Sequence, residues 1–273
     1  MTKVCKHYVK KSCSKGDKCE FEHIDNICSH YFFGNCKNGD SCKLSHQHKL
    51  NNKKKLIKKN TESFTPSHKM ADMRVVVGSN THTYNNVIQT RDVILVNNLF
   101  CDESSLDIYN KLLEEIKESG LNEDKLWKLW HGDSHMIADD HLAWKSKCPT
   151  FNHIIEKLKT YFNMDIKATR FNWYRDSADW KPNHHDAAAI DSNKAKTQNF
   201  TAGVSFGATR EAIFEHATTK TTVSIPLVNG SVYCFSKDTN IEWRHGIPQL
   251  PLALQHKNGR ISIIAWGWVE QSN

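Results

Sequence analysis

Arg-Phe-Asn-Trp-Tyr-Arg-Asp-Ser-Ala-Asp-Trp-Lys-Pro-Asn-His-His-Asp, residues 170–186, is the stretch on which the fold turns. It holds a β-prone run, a loop and a His-x-Asp pair, His184 and Asp186. Such a pair supplies two ligands of a two-histidine, one-carboxylate iron site, which leaves three coordination positions open for co-substrates. In a chain with 16 histidines a His-x-Asp coincidence is common, so its weight depends on the surrounding sequence.

Working outward, residues 166–174 have strand alternation. Arg170, Asn172 and Tyr174 share one face, and Phe171 and Trp173 share the other. Short β-prone runs follow at 199–206, 212–216, 221–227, 230–235 and 260–268, separated by turn residues. In the last run Arg260, Ser262, Ile264, Trp266 and Trp268 face away from Ile261, Ile263 and Ala265. An arginine pointing into a barrel is costly unless it meets an anion. Upstream, a β-rich run at 91–96 precedes apolar residues at 106, 109, 112, 113 and 116, the helical period, which Gly120 ends. A second helix is expected at 150–162, with Ile154, Ile155, Leu158, Tyr161 and Phe162 on its apolar face. Helices followed by many short strands define an α+β, mostly β domain, a small barrel or double sheet buttressed by helices.

A third metal ligand is available in His245, well downstream of Asp186, and Arg260 follows it. The order makes chemical sense. His184, Asp186 and His245 occupy one octahedral face of iron, 2-oxoglutarate chelates opposite positions, and its distal carboxylate meets Arg260 in a bidentate pair. Dioxygen takes the last position as co-substrate.

This constellation resembles the iron(II)- and 2-oxoglutarate-dependent oxygenases, and among them the AlkB family, over residues 92–266. The matching residues are Asn172 and Tyr174 (2-oxoglutarate contacts), His184, Asp186 and His245 (metal), and Arg260. Ser205-Phe206-Gly207-Ala208-Thr209-Arg210 and His245-Gly246-Ile247-Pro248 match family motifs without an evident ligand role. The resemblance implies a double-stranded β-helix (jelly roll), a reaction yielding succinate and carbon dioxide, and hydroxylation of a nucleobase methyl that leaves as formaldehyde. The chain departs from the family at two places. Ala188 stands where an acidic residue often touches the base, and Trp266 stands where a second arginine is usual. Trp266 is a substrate-pocket candidate, either stacking on a flat substrate or filling the lumen.

The N-terminus carries a repeat. Cys5, Cys13, Cys19 and His23 recur at the same spacing as Cys28, Cys36, Cys42 and His46, both as Cys-x7-Cys-x5-Cys-x3-His. Three thiolates and an imidazole make a closed tetrahedral zinc site, which organises a segment too short to bury a core. The units resemble CCCH zinc fingers, and this resemblance implies single-stranded RNA binding with base stacking on Tyr8, Phe21 and Tyr31. Leu44 replaces the second finger's counterpart of Phe21. Lys6, Lys10, Lys11, Lys37 and Lys43 offer phosphate contacts. The aromatics can equally cover the zinc, with the fingers binding protein.

The expected division is residues 1–48 as tandem fingers, 49–70 as a basic flexible linker and 71–273 as the oxygenase domain. The net charge of +7 is concentrated at the lysine-rich N-terminal end, which favours a polyanionic partner, RNA or DNA. Six of the nine cysteines fall between Cys5 and Cys42. That clustering, with no secretory signal or apolar run long enough to span a bilayer, suits an intracellular protein, cytoplasmic or nuclear. Cys101, Cys148 and Cys234 read as buried thiols. His185 reads as a neighbour of the site and His216 as a structural histidine. Trp127, Trp130, His131, His135, Asp139 and Asp140 form a cluster that is either substrate lid or packing. Three functions stay open: an oxygenase acting on nucleic acid, a protein hydroxylase tethered to RNA by its fingers, and a non-catalytic RNA-binding protein with a relic barrel.

Overall fold

The computed structural model describes residues 3–34, 36–47, 71–81, 83–130 and 134–272. They fall into two compact units, one within Met1–Pro66 and one within Ser67–Asn273. The expected linker at 49–70 and His131 lie outside the described residues. Among the described residues, no helix is long and apolar enough to cross a membrane.

The C-terminal unit is two facing sheets with helices on the back of the larger one. Its strands are β1 (Arg74–Val77), β2 (Asp92–Val96), β3 (Trp127–Leu129), β4 (Met136–Ala138), β5 (Asp165–Tyr174) and β6 (Lys181–His184). They continue with β7 (Phe200–Gly207), β8 (Arg210–His216), β9 (Thr222–Leu227), β10 (Ser231–Ser236), β11 (Trp243–Ile247) and β12 (Arg260–Trp268). The eight-stranded sheet runs β1-β2-β10-β7-β12-β5-β4-β3, and the four-stranded sheet runs β6-β11-β8-β9. This is the mostly β, jelly-roll architecture expected from sequence.

Strand alternation divides the core in two. Phe171, Ile261, Ile263 and Ala265 face outward from the large sheet and pack with Leu112, Ile116, Ile154 and Leu158 of the helices. Tyr174, Ile264, Phe214, Phe235 and Trp243 fill the space between the sheets. The two long helices are α1 (Asp107–Glu118) and α2 (Pro149–Phe162). They are fastened together where the Glu115 carboxylate accepts from Thr150 N and Oγ1 at 2.9 and 2.6 Å. The acidic group thus caps the amino end of α2, where unpaired N–H groups and the helix dipole favour it. Asn163 closes α2 in the left-handed region at φ 48°.

The N-terminal unit repeats its geometry as closely as its sequence. Cys5 N donates to Glu22 O at 2.9 Å, and in the second repeat Cys28 N donates to Ser45 O at 3.0 Å. A short helix follows the first cysteine of each repeat, Lys6–Val9 and Ser29–Phe33.

Candidate active site and metal centres

The iron ligands arise from strand pairing. β6 and β11 run antiparallel with His184 directly opposite His245, so their imidazoles meet with ring centroids 4.4 Å apart. Asp186 lies just beyond β6, before the turn Ala187–Ala189. Its Oδ1 is 3.7 Å from His184 Nε2 and 3.6 Å from His245 Nε2. One donor atom from each residue fits within a 4.8 Å span, so three ligands converge on one ion. Neighbouring groups fix their aim. His184 Nδ1 donates to Pro182 O at 2.9 Å, which leaves Nε2 with its lone pair for metal. Asp186 Oδ2 accepts from Thr201 Oγ1 at 3.0 Å and from Trp266 Nε1 at 2.8 Å, leaving Oδ1 for the ion. Thr201 and Trp266 are cross-strand partners on β7 and β12. Asp186 N donates to Asn240 Oδ1 at 2.9 Å.

Electrostatics set the ligands' protonation. Burial holds His245 well below its ordinary range, against the attraction of Asp186. Burial works against ionised Asp186, but the His245 and His184 imidazoles and the Lys181 ammonium keep its carboxyl below the usual range. Neutral imidazoles and a carboxylate are the forms that bind metal.

Behind the triad the lumen holds an unmatched cation. Arg260 is 1% exposed, and Nη1 and Nη2 have no hydrogen-bond partner among the described residues. Its Nε donates to Ser205 Oγ at 2.9 Å, and its guanidinium lies 5.1 Å from the Tyr174 ring centre. Two buried, unpaired guanidinium nitrogens call for an anion that arrives with a ligand. A dicarboxylate chelating the metal fits that requirement, so the residues present suit iron and 2-oxoglutarate together. Asn172 Nδ2 donates to Ser262 O at 3.1 Å across β5 and β12. Asn172, Tyr174, His245 and Ser262 line one cavity.

The matched motifs without evident ligand roles gain structural ones. Ser205 orients Arg260 through Nε, as above. Arg210 is buried and ties two segments together, donating through Nη1 to Asp179 O at 3.0 Å and Nη2 to Pro248 O at 2.8 Å. Gly246 sits against a β-bulge. The pairing steps from His245↔His184 to Ile247↔Lys181, so β6 carries one extra residue in the Pro182–Asn183 region. A Cβ on Gly246 would lie 2.5 Å from Asn183 Oδ1 and 2.6 Å from Lys181 O.

The aromatic cluster before the barrel separates into different jobs. Trp127 is core, packing on Phe171 and Trp173. Asp139 and Asp140 pair with Lys128 and Lys145. Trp130 is near the site, with the Arg170 guanidinium 4.9 Å from its ring centre; the same guanidinium lies 5.8 Å from Trp266. His135 is fully buried, stacks on Tyr174 at 4.7 Å, and places Nε2 3.2 Å from Asn172 Oδ1. Burial first, then the Lys181 charge, pushes its pKa down to about 3. His185 Nδ1 bonds Asn240 O at 2.7 Å. His216 Nδ1 accepts from Thr219 N at 3.1 Å, a structural bond. Ala188 lines a small cavity with Trp266 and Thr201, so no acidic side chain stands at that position to read a base.

In the N-terminal unit, Cys5, Cys13, Cys19 and His23 form one four-ligand cluster, and Cys28, Cys36, Cys42 and His46 the other. His23 Nε2 and His46 Nε2 are buried without hydrogen-bond partners, which suits atoms that ligate an ion. The N–H of Tyr31 leads the groups that bring the Cys28 thiol down to about 6, which favours the thiolate that binds zinc. Tyr8 and Tyr31 lie flat on the ligand histidines, with ring centres 4.0 and 4.1 Å apart. Phe21 and Leu44 are exposed to nearly the same degree, 46% and 45%.

A two-histidine, one-carboxylate triad in a jelly roll, backed by a buried arginine, defines an iron- and 2-oxoglutarate-dependent oxygenase site. The 2OG-Fe(II) oxygenase superfamily model matches residues 116–265, and the chain belongs to that family. Its cofactors are Fe(II) and 2-oxoglutarate, with zinc suited to the two Cys3His clusters. No curated protein matches the chain.

Proposed function

We propose that this oxygenase is AlkB-like and acts on nucleic acid, RNA above all, by oxidative demethylation or hydroxylation of a modified base. Residues 1–48 serve as CCCH-type fingers that bind single-stranded RNA, 49–70 as a basic tether and 71–273 as the oxygenase. Such a protein works in the cytoplasm or nucleus.

The observation that carries this reading is the wall beside the metal ligands. Trp266 bonds Asp186, and the Arg170 guanidinium lies at cation–π range of both Trp266 and Trp130, so two half-buried indoles and a cation gather beside the triad. Indoles stack on a base without regard to its identity, and a guanidinium answers a phosphate. Exposed Phe21 and Leu44 supply a second place for stacking or apolar contact on the fingers. When bound, iron and 2-oxoglutarate supply the oxidising chemistry. The chain's own residues hold the triad, anchor the dicarboxylate and orient the base.

The test is succinate release from iron-loaded protein with methylated RNA, methylated DNA, unmodified oligomers and a peptide pool, using His184→Ala as the blank. Stimulation by methylated RNA supports the reading. Stimulation by peptides alone makes the protein a hydroxylase of proteins, and turnover unchanged in His184→Ala removes the iron assignment.

A further inference from the structure

We infer that Lys181 is a second cationic anchor for 2-oxoglutarate, pairing with the carboxylate at the oxo-acid end while Arg260 takes the distal one.

The strand itself aims the side chain. Lys181 and His184 are the two ends of β6, and in a regular strand their odd separation would put the side chains on opposite faces. The extra residue in the bulge, opposite Gly246, offsets that alternation. Lys181 accordingly lines the same cavity as Asn172, Tyr174, His245 and Ser262. Pro182 suits the bulge because it has no N–H to offer a ladder.

The ammonium has no hydrogen bond or ion pair among the described residues. The Trp130 ring lies 5.6 Å from it. Burial pushes its pKa down to about 8, against the attraction of Asp186. The side chain is half-buried rather than enclosed, and with only the Trp130 ring against it the ammonium is free to meet an anion entering the cavity.

The ligand already required there carries two carboxylates. The free Nη1 and Nη2 of Arg260 suit one of them. The charge felt most strongly at Lys181 is Asp186, ahead of Arg170 and Arg260, so the ammonium belongs to the metal end of the cavity. The carboxylate that chelates iron keeps an oxygen to satisfy in a space also walled by Ile247, Ile264 and Ala212. Among the described residues lining that cavity, Lys181 is the side chain that brings a full positive charge to that end.

The test is binding, read by calorimetry on full-length protein loaded with Mn(II) in place of iron. Lys181→Met keeps the length of the side chain and removes the charge. It should weaken 2-oxoglutarate on the order of tenfold to a hundredfold, the loss of one charge-assisted hydrogen bond. It should weaken 2-oxopentanoate, which lacks the distal carboxylate, by a similar factor. Mn(II) affinity without oxo acid should not fall. A 2-oxoglutarate affinity within twofold of wild type overturns the proposal. A loss seen with 2-oxoglutarate but not 2-oxopentanoate also overturns it, by moving Lys181 to the distal end. Unchanged 2-oxoglutarate binding with weaker methylated-oligonucleotide binding overturns it in favour of a substrate contact.

Discussion

Arg260 makes a prediction in which stability and ligand binding move in opposite directions. Arg260→Met removes a buried guanidinium whose Nη1 and Nη2 are unpaired in the absence of ligand. Each unpaired nitrogen costs about 1–3 kcal/mol. Against this, the substitution loses the Nε bond to Ser205, about 1 kcal/mol, and the contact over Tyr174, about 1–2 kcal/mol. The difference runs from about 1 kcal/mol against the variant to about 4 kcal/mol in its favour, with the middle of that range on the favourable side. Wild type saturated to about 100 times its Kd with 2-oxoglutarate gains about 2.7 kcal/mol, and the variant, left with the metal and Lys181 as anchors, gains much less at the same concentration. All eight tryptophans lie between Trp127 and Trp268, so intrinsic fluorescence in a denaturant titration reports the oxygenase unit alone. A loss of more than about 3 kcal/mol in Arg260→Met without 2-oxoglutarate, beyond what the forfeited contacts can supply, would refute this. So would a ligand that still stabilises the variant as it does wild type.

Three further substitutions probe the groups around the triad. Trp266→Phe removes one of two donors to Asp186 Oδ2 and should weaken metal about 10–100-fold by titration; an affinity within twofold would leave the indole a packing residue only. Gly246→Ala forces a Cβ to within 2.6 Å of Lys181 O, so it should destabilise the unit by about 1–3 kcal/mol and weaken metal at neighbouring His245; an unaltered melting curve would contradict the bulge. His135 stays neutral in the folded protein down to about pH 3, whereas an unfolded histidine takes a proton near pH 6.5. Its contribution therefore makes stability fall as pH drops from about 6.5 toward 3, by up to about 1.4 kcal/mol per pH unit. His135→Gln should flatten that acid limb, and an equally steep limb in the variant would reject the assignment.

The parts of the site legible in sequence are those whose period survives in the fold. β12 keeps strict alternation against β7 over its length, so the pattern of apolar and polar residues alone puts Arg260 and Trp266 on the lumen face. The same holds for Asn172 and Tyr174 on β5. β6 is hidden because it is four residues long, contains Pro182 and carries a bulge, which together erase the two-residue period. Lys181 is hidden with it. Ser205, Arg210 and Gly246 are visible as motif residues, but their partners Arg260, Pro248 and Asn183 lie at distances along the chain that no local pattern connects. His135 stands out in a cluster, yet its contact with Asn172 spans 37 positions. The sequence presents Trp266 as stacking surface or lumen filler, and the structure adds that its indole nitrogen bonds a metal ligand.

The most direct test of the central claim is metal stoichiometry by elemental analysis of anaerobically prepared protein, with and without Asp186→Ala. Wild type should hold two zinc and one iron per chain, and the variant should keep both zinc ions and lose the iron. Iron retained at one per chain in Asp186→Ala, or absent from wild type in the presence of 2-oxoglutarate, would contradict the account.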